Sequence, residues 1–450
     1  MRKHYNSMGA MAVILWACVS LPADLAAQQA DTQYLLREIQ TLKEQVAELE
    51  TLKSRIHELE SLLSAQAARE EERARAEVVD KAAEADSDYL DVGGALRFNY
   101  LYQDWNSANK ERGGDFDLDT FRLNVDASYK DVLLSAEYRF YGDGAGGENY
   151  HMLHHGWFGY DFTDSVQARL GVTQVPFGIL PYASHNFFFQ LPYYVGLEDD
   201  YDAGLKLVYD KAPWNVQLAF FKGSEYGATN SERYSYDVVH ADYDNDGFHE
   251  YADEESNQLN VRLAYTLDHG DNGATELGIS GEVGQLYNSI TDSNGSRVAG
   301  ALHLNSSFQR WNLMLEALRY QYNQDNPPGL EDRFVVMGAY DFPYKVARAG
   351  NIYMVGLSYT LPVNWGPISE LTFYDDFSIL NKDGKGYADS RQNVLGMAVS
   401  AGPIYTYIDF AMGKNHPWLG PGWTDSLAQG DSAVDDEWHT RFNINFGYYF

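Results

Sequence analysis

The chain has 450 residues, with 65 acidic and 33 basic side chains and a formal net charge of −32. That balance excludes a nucleic-acid-binding protein, because affinity for phosphate backbones comes from clustered Lys and Arg that release counterions. Aromatic residues make up 14%, glycine is abundant at 39 and proline sparse at 13. Mean hydropathy is −0.42, and after residue 20 no apolar run nears the ~20 residues a spanning helix requires, which excludes a helical membrane protein. What remains is either several soluble domains or one large β-barrel behind a short accessory segment.

Residues 1–27 read as a signal peptide. Arg2, Lys3 and His4 are basic, 11–19 is apolar, and the small residues Ala23, Ala26 and Ala27 follow, with Leu25 an imperfect −3 residue for cleavage near Ala27. The single cysteine, Cys18, lies inside this segment, so the exported chain has no disulfide framework. A lipoprotein box at 15–18 is disfavoured by Trp16 and by the apolar stretch that continues after it.

Residues 31–66 carry apolar side chains at Leu35, Ile39, Leu42, Val46, Leu49, Leu52, Ile56, Leu59 and Leu63. The steps alternate between four and three, with one stammer at Leu49–Leu52, so a short periplasmic coiled coil is expected. Its a/d residues lean towards two strands; a helix docked on its own chain is the alternative. An acidic linker at 67–88, rich in Ala, Glu and Arg, follows. The job expected of this region is to associate subunits or to span periplasmic space.

From residue 89 to 450 the period changes to two. Leu96, Phe98, Tyr100 and Tyr102 alternate with Arg97, Asn99 and Gln103; Phe121, Leu123 and Val125 alternate with Arg122, Asn124 and Asp126. Such segments, about ten residues long with aromatics at their ends, suit tilted strands crossing a bilayer between aromatic girdles. A soluble sandwich also alternates, but with shorter strands. Tight turns at 130–131, 163–164, 211–212, 309–310 and 401–403 alternate with longer polar links at 142–150, 223–256 and 381–392. A bare count gives seventeen strands, because 333–342 also has strand character. An odd count would place the two termini on opposite sides, so 324–350 is assigned to one long external loop. The fold class expected is an all-β transmembrane, 16-stranded antiparallel outer-membrane β-barrel preceded by a short α-helical coiled coil, with eighteen strands the alternative. In the last strand Phe442, Ile444, Phe446, Tyr448 and Phe450 face one way and Arg441, Asn443 and Asn445 the other. Phe446, Tyr448 and Phe450 resemble the assembly signal read by the outer-membrane insertion machinery.

A barrel of this size is expected to hold a water-filled lumen. The stretch Gly171 to Gly178 ends in Pro176-Phe177-Gly178 and leads into a long link to Asp200. Here the chain resembles the phosphate-selective porin O/P family, in which such a segment enters the constriction loop. The resemblance extends to the exported coiled-coil start, the sixteen strands and the closing aromatic strand. It implies an outer-membrane trimer passing anions, phosphate among them, without energy input. The charges depart from that pattern, because 177–201 has no Lys or Arg. The pore constriction is expected at Pro176, Phe177, Gly178, Tyr182, His185, Phe187, Phe189, Tyr193, Glu198 and Asp199. An aromatic eyelet of this kind suits neutral solutes. Basic residues on polar-facing strand positions are Arg97, Arg122, Arg139, Arg169, Lys206, Arg262 and Arg441. They form either a sparse ladder along the wall or pairs with carboxylates such as Asp126, Glu137 and Asp210.

The loop 223–256 holds ten Asp or Glu against one Arg. Within it Asp242, Asp244, Asp246, Phe248 (through its carbonyl), Glu250 and Asp253 have the spacing of a Ca²⁺-binding loop, with glycine at the turn. Such an ion would order the loop and could cross-link lipopolysaccharide. No cofactor is required. No nucleophile elbow, zinc-helix motif or phosphate loop occurs at useful spacing, so no enzyme is expected. His154 and His155, adjacent in a strand, are expected on opposite faces. A structural tether contacting peptidoglycan is a further reading.

Overall fold

The computed structural model describes residues 88–142, 150–227, 229, 232–241, 250–340, 342–428 and 437–450. The expected signal peptide, the expected coiled coil and, Asp88 apart, the expected linker lie outside the described residues. The first barrel strands are β1 (Tyr89–Gln103), β2 (Asp115–Tyr129), β3 (Val132–Tyr141), β4 (Tyr150–Thr163) and β5 (Val166–Gln174). After these come β6 (Tyr201–Lys211), β7 (Trp214–Ser224), a short β8 (Arg233–Val238), β9 (Asp253–Asp268), β10 (Gly273–Asn288), β11 (Ser293–Phe308) and β12 (Trp311–Asn323). Two more short strands, β13 (Phe334–Tyr340) and β14 (Phe342–Ala347), precede β15 (Ala349–Trp365), β16 (Ile368–Lys382), β17 (Ser390–Ala401), β18 (Ile404–Lys414) and β19 (His439–Tyr449).

Sixteen of these strands close into an antiparallel barrel, each paired with its sequence neighbours, and β1 meets β19 at the seam. The seam pairs Ala95 with Tyr449 through to Gln103 with Arg441. Gly94 and Phe450 exchange backbone hydrogen bonds of 2.9 and 3.1 Å beyond it. A Cβ on Gly94 would meet the Arg122 carbonyl at 2.5 Å and the Phe450 ring at 2.7 Å, so closure there requires glycine. The period-two pattern explains the closed sheet. Leu96, Phe98, Leu134, Phe140, Leu302, Phe410, Phe446, Tyr448 and Phe450 are exposed outward, whereas Arg97, Arg139, Asp376 and Arg441 are buried inside. A belt of outward apolar side chains on strands this long matches hydrocarbon rather than water.

The two ends differ. At one end lie both termini of the barrel and tight turns; Lys130 and Asp131, both left-handed with φ of 50° and 67°, make the hairpin between β2 and β3. At the other end the links β5–β6, β7–β9, β12–β15 and β18–β19 are long, and many of their described residues are buried. The segment 324–350 does connect consecutive barrel strands. None of 324–333 is buried, but the rest of the segment folds in: β13 pairs with β14 and β8 in a separate three-stranded sheet, and every residue of β8 and β13 is buried. The strand character expected there is therefore real, as Phe334–Tyr340, but it belongs to the separate interior sheet. An interior strand has both faces covered, so it reads as a near-continuous apolar run, here Phe334-Val335-Val336-Met337.

The expectation of a water-filled lumen is corrected at this end. Phe187, Phe188, Phe189, Tyr193, Tyr194, Tyr234, Tyr236, Tyr344, Trp418 and Leu427 belong to one buried cluster. Phe189 stacks on Tyr193 at 4.2 Å between centroids, and Trp418 meets Trp423 edge-on at 4.0 Å. Such aromatic pairs add roughly 0.5–1.5 kcal/mol each beyond the area they bury.

Candidate functional site: the segment crossing the barrel

Residues 175–200 leave β5 and return to β6, and Val175 N–H donates to the Asp200 carbonyl at 2.8 Å where the two strands part. From that base the segment reaches across the barrel. Gly178 N–H donates to Ser280 Oγ on β10 (3.0 Å) and Ile179 N–H to Glu316 Oε2 on β12 (3.0 Å). Arg262 on β9 donates to the Gly178 carbonyl at 2.8 Å. Gly178 has φ of +61°, and a Cβ there would sit 2.6 Å from Glu316 Oε2. Both the conformation and the close approach explain glycine after Pro176 and Phe177.

Farther along, the anchors lie on β16 and β17, eight and seven strands from β5 in the barrel order. Asp376 accepts from the backbone N–H of His185 (2.6 Å) and of Asn186 (3.1 Å), and from Asn186 Nδ2 (2.7 Å). His185 Nδ1 lies 2.8 Å from Asp376 Oδ1 and Nε2 lies 2.7 Å from Asn312 Oδ1. Leu191 N–H donates to Ser378 Oγ, and Gln392 Nε2 donates to the Phe189 carbonyl at 3.0 Å. Hydroxyls of Tyr322 and Tyr344 donate to the carbonyls of Val195 and Tyr194 at 2.9 and 2.6 Å. A buried chain segment must have its backbone groups paired, and polar inward residues of the far wall do this.

Of the residues expected at the constriction, Pro176, Phe177, Gly178, Tyr182, Phe187, Phe189, Tyr193, Glu198 and Asp199 are buried, and His185 is nearly so. The two carboxylates are turned inward on the protein. Glu198 accepts from Ala183 N–H at 2.7 Å, and Asp199 accepts from the Tyr234 hydroxyl at 2.5 Å. Tyr182 meets Phe189 edge-on, and Tyr193 does the same to Tyr236 of the interior sheet.

The seven basic residues of the strands all have committed partners. Arg97 pairs with Asp119 at 2.8 Å; Arg122 and Arg139 flank Glu137. Arg262 bridges to Glu276, and Lys206 donates to the Gln174 carbonyl at 2.7 Å. Arg169 bonds to Gln167 and lies over the Trp157 ring; Arg441 bonds to Asn443 and lies over Phe188. Arg97, Arg139 and Arg441 are 0% exposed, so they stabilise the packed interior rather than face an open bore.

Asp242, Asp244, Asp246 and Phe248 lie outside the described residues. Glu250 is half-buried, and Asp253, first in β9, accepts from Asn288 Nδ2 at 3.1 Å. The expectation for His154 and His155 is corrected: a bulge in β4 at His154, opposite the step from Glu137 to Tyr138 on β3, leaves both side chains buried inside the barrel. Their Nδ1 atoms are 2.8 Å apart, and His155 Nε2 is 3.1 Å from Ser135 Oγ. A bulge adds one residue to one strand and so inverts the alternation that a strict period of two predicts. Also missed by the sequence pattern is the link between β18 and β19. There burial, with the positive Lys382 nearby, pushes His416 down to about 3, and its ring packs edge-on against Tyr194 at 4.5 Å.

No protein-family model matches the sequence, and no curated protein sequence matches it. Among solved structures, the fold is similar to the anion-selective porin from Comamonas acidovorans. Identity is 13% and the TM-score 0.51, over 81% of this chain and 100% of that one. It is similar also to the outer membrane channel DcaP of Acinetobacter baumannii, at 12% identity and a TM-score of 0.50, over 81% and 98%. At these identities the likeness establishes the fold: this chain is built as a sixteen-stranded barrel of the outer-membrane porin kind.

Proposed function

We propose that the chain is a bacterial outer-membrane channel for passive diffusion of small hydrophilic solutes, non-enzymatic and without phosphate selectivity. The observation that carries this reading is the segment 175–200, which spans the barrel with no Lys or Arg while Arg97, Arg122, Arg139 and Arg262 of the wall are ion-paired. A phosphate dianion leaving water needs replacement charge-assisted hydrogen bonds. Guanidiniums already held by Asp119, Glu137 and Glu276 do not offer them without breaking buried ion pairs. The phosphate- or pyrophosphate-selective alternative draws on the resemblance at Pro176-Phe177-Gly178. The packed outer end makes the segment a closure as well as an eyelet, so conduction involves parting its contacts with β16 and β17.

The test is reversal potential across a planar bilayer under a KCl gradient, with phosphate titrated in. Weak or cation preference without phosphate block supports the reading. Strong anion preference with block at low phosphate overturns it in favour of the alternative. No conductance at any voltage favours the tether, a reading that the packed interior also supports.

The trimer implied by the resemblance is part of this proposal. On the outer face a concavity of about 570 Å³ is lined by Trp311, Leu357, Phe373, Leu395 and Phe410, and it includes Asp375. Asp375 accepts from Asn393 Nδ2 at 2.6 Å. A carboxylate facing hydrocarbon is unfavourable, and a second copy seated there would cover it. Asp375→Leu should lower the oligomer fraction seen by cross-linking in detergent; an unchanged ladder removes this face from the interface.

A further inference from the structure

A second group of acids, separate from the acidic loop 242–253, lies where the crossing segment rejoins the wall. Asp200 ends that segment, Asp202 is the second residue of β6, and Asp237 belongs to β8 of the interior sheet. One carboxylate oxygen from each lies within 4.8 Å of the other two. All three residues are buried, at 4%, 1% and 0% exposure. The elements are held in register independently, because Tyr201 N–H donates to Ser235 Oγ at 2.9 Å.

What distinguishes this cluster from a set of structural ion pairs is what its oxygens lack. Both oxygens of Asp200, Oδ1 of Asp202 and Oδ1 of Asp237 accept no hydrogen bond from the described residues. The neighbouring Gln258 donates its Nε2 to Asp202 Oδ2 at 3.1 Å, while its own buried Oε1 is unpartnered. Nearby guanidiniums are already committed. Arg233 is held by Glu225 and the other oxygen of Asp237, and Arg297 by Glu255 and Glu282. Six carboxylates therefore share two fixed positive charges. A buried carboxylate with no donor and no counter-charge costs several kcal/mol. Two things offset that cost, a bound proton or a bound cation.

We infer that Asp200, Asp202 and Asp237 form a site for a hard divalent cation, of the calcium rather than the transition-metal class. The donors are all oxygen, and both oxygens of Asp200 are available for bidentate ligation, which suits the larger, adaptable coordination sphere of Ca²⁺ better than the water-retaining octahedron of Mg²⁺. Because the three ligands come from the crossing segment, the wall and the interior sheet, the ion clamps the closure to the barrel. The inference does not depend on whether the barrel conducts.

The experiment uses the full-length protein in detergent, stripped with chelator. Tb³⁺ is titrated with tyrosine excitation, since Tyr201 and Tyr236 adjoin the ligands in sequence, and Ca²⁺ or Mg²⁺ is then added as competitor. Asp242, Asp244 and Asp246 are all changed to Asn in the background, which removes the other acidic loop. The expected result is one sensitised site, displaced by Ca²⁺ at least tenfold more effectively than by Mg²⁺. Affinity should fall tenfold or more in Asp200→Asn and in Asp237→Asn. Heat-modifiable migration reports folding. Should these variants not assemble, amide exchange of the parent protein replaces them, with Ca²⁺ expected to slow exchange at residues 200–202 and 237 selectively. Binding that is unchanged in the Asn variants, absent from the parent, or without effect on that exchange overturns the inference and leaves protons as the charge compensation.

Discussion

The two ends of the barrel use the same strands and differ in what joins them. At the turn end the chain reverses within a few residues, and Lys130-Asp131 or Gly402-Pro403 suffice because a hairpin needs only the right local backbone. At the loop end the links are long enough to bury a core of their own. There the structure depends on contacts such as His185 with Asp376, which are 191 residues apart in sequence. Errors at the turn end should therefore stay local, while errors at the loop end should propagate to the closure and to conductance.

The largest break expected is Asp376→Ala. It removes the acceptor of two backbone N–H groups, the Asn186 amide and the His185 ring, leaving buried donors unsatisfied. A loss of about 3–5 kcal/mol in docking of the segment is expected. The readouts are faster amide exchange over 185–191 and larger, noisier single-channel currents; unchanged exchange would show that the segment is held elsewhere. Next is Gly178→Val, which places a branched side chain at φ of +61° against Glu316. Strain of roughly 1–3 kcal/mol is expected, with a shift in reversal potential and no loss of barrel assembly.

A pH effect of similar size is expected at the loop end. The folded His416 has its pKa pushed down to about 3, below the ordinary ~6.5 of the unfolded chain. The folded state thus binds fewer protons between these values. The contribution of His416 to docking of 415–428 is full above pH 6.5 and weakens as pH falls, by about 2 kcal/mol at pH 5. The groups facing the ring are Tyr194, the Trp418 N–H and the positive Lys382 on β16. Exchange of 415–428 measured at pH 5 and 7 checks this, and His416→Asn should flatten the difference. The smallest effect belongs to the turn end. Asp131→Gly relieves a left-handed residue at φ of 67°, for a change under about 1 kcal/mol in thermal stability and none in conductance.

Much of the fold was legible because its signals are local. Alternation, aromatic strand ends and tight turns follow from the pleat and the bilayer, so the sixteen strands and the inward Arg441, Asn443 and Asn445 could be read directly. The crossing segment was legible as a position, through Pro176-Phe177-Gly178 and the absence of Lys and Arg. Its state was not. Glu198 accepts from Ala183, and Asp199 from Tyr234 and Gln174, and no spacing rule predicts that these carboxylates turn away from a bore. The facing of His154 and His155 escaped for a similar reason, since a bulge leaves the sequence period intact and inverts the geometry.

By itself, then, the sequence determined the closed antiparallel barrel, its polarity and the place where the chain crosses it, because side-chain period and turn chemistry act within a few residues. Only the tertiary structure decided that the long links fill the outer end, that the wall arginines are paired, and that Asp200, Asp202 and Asp237 converge. Those outcomes depend on which wall a link reaches, a distance set by barrel closure rather than by any neighbour in the chain.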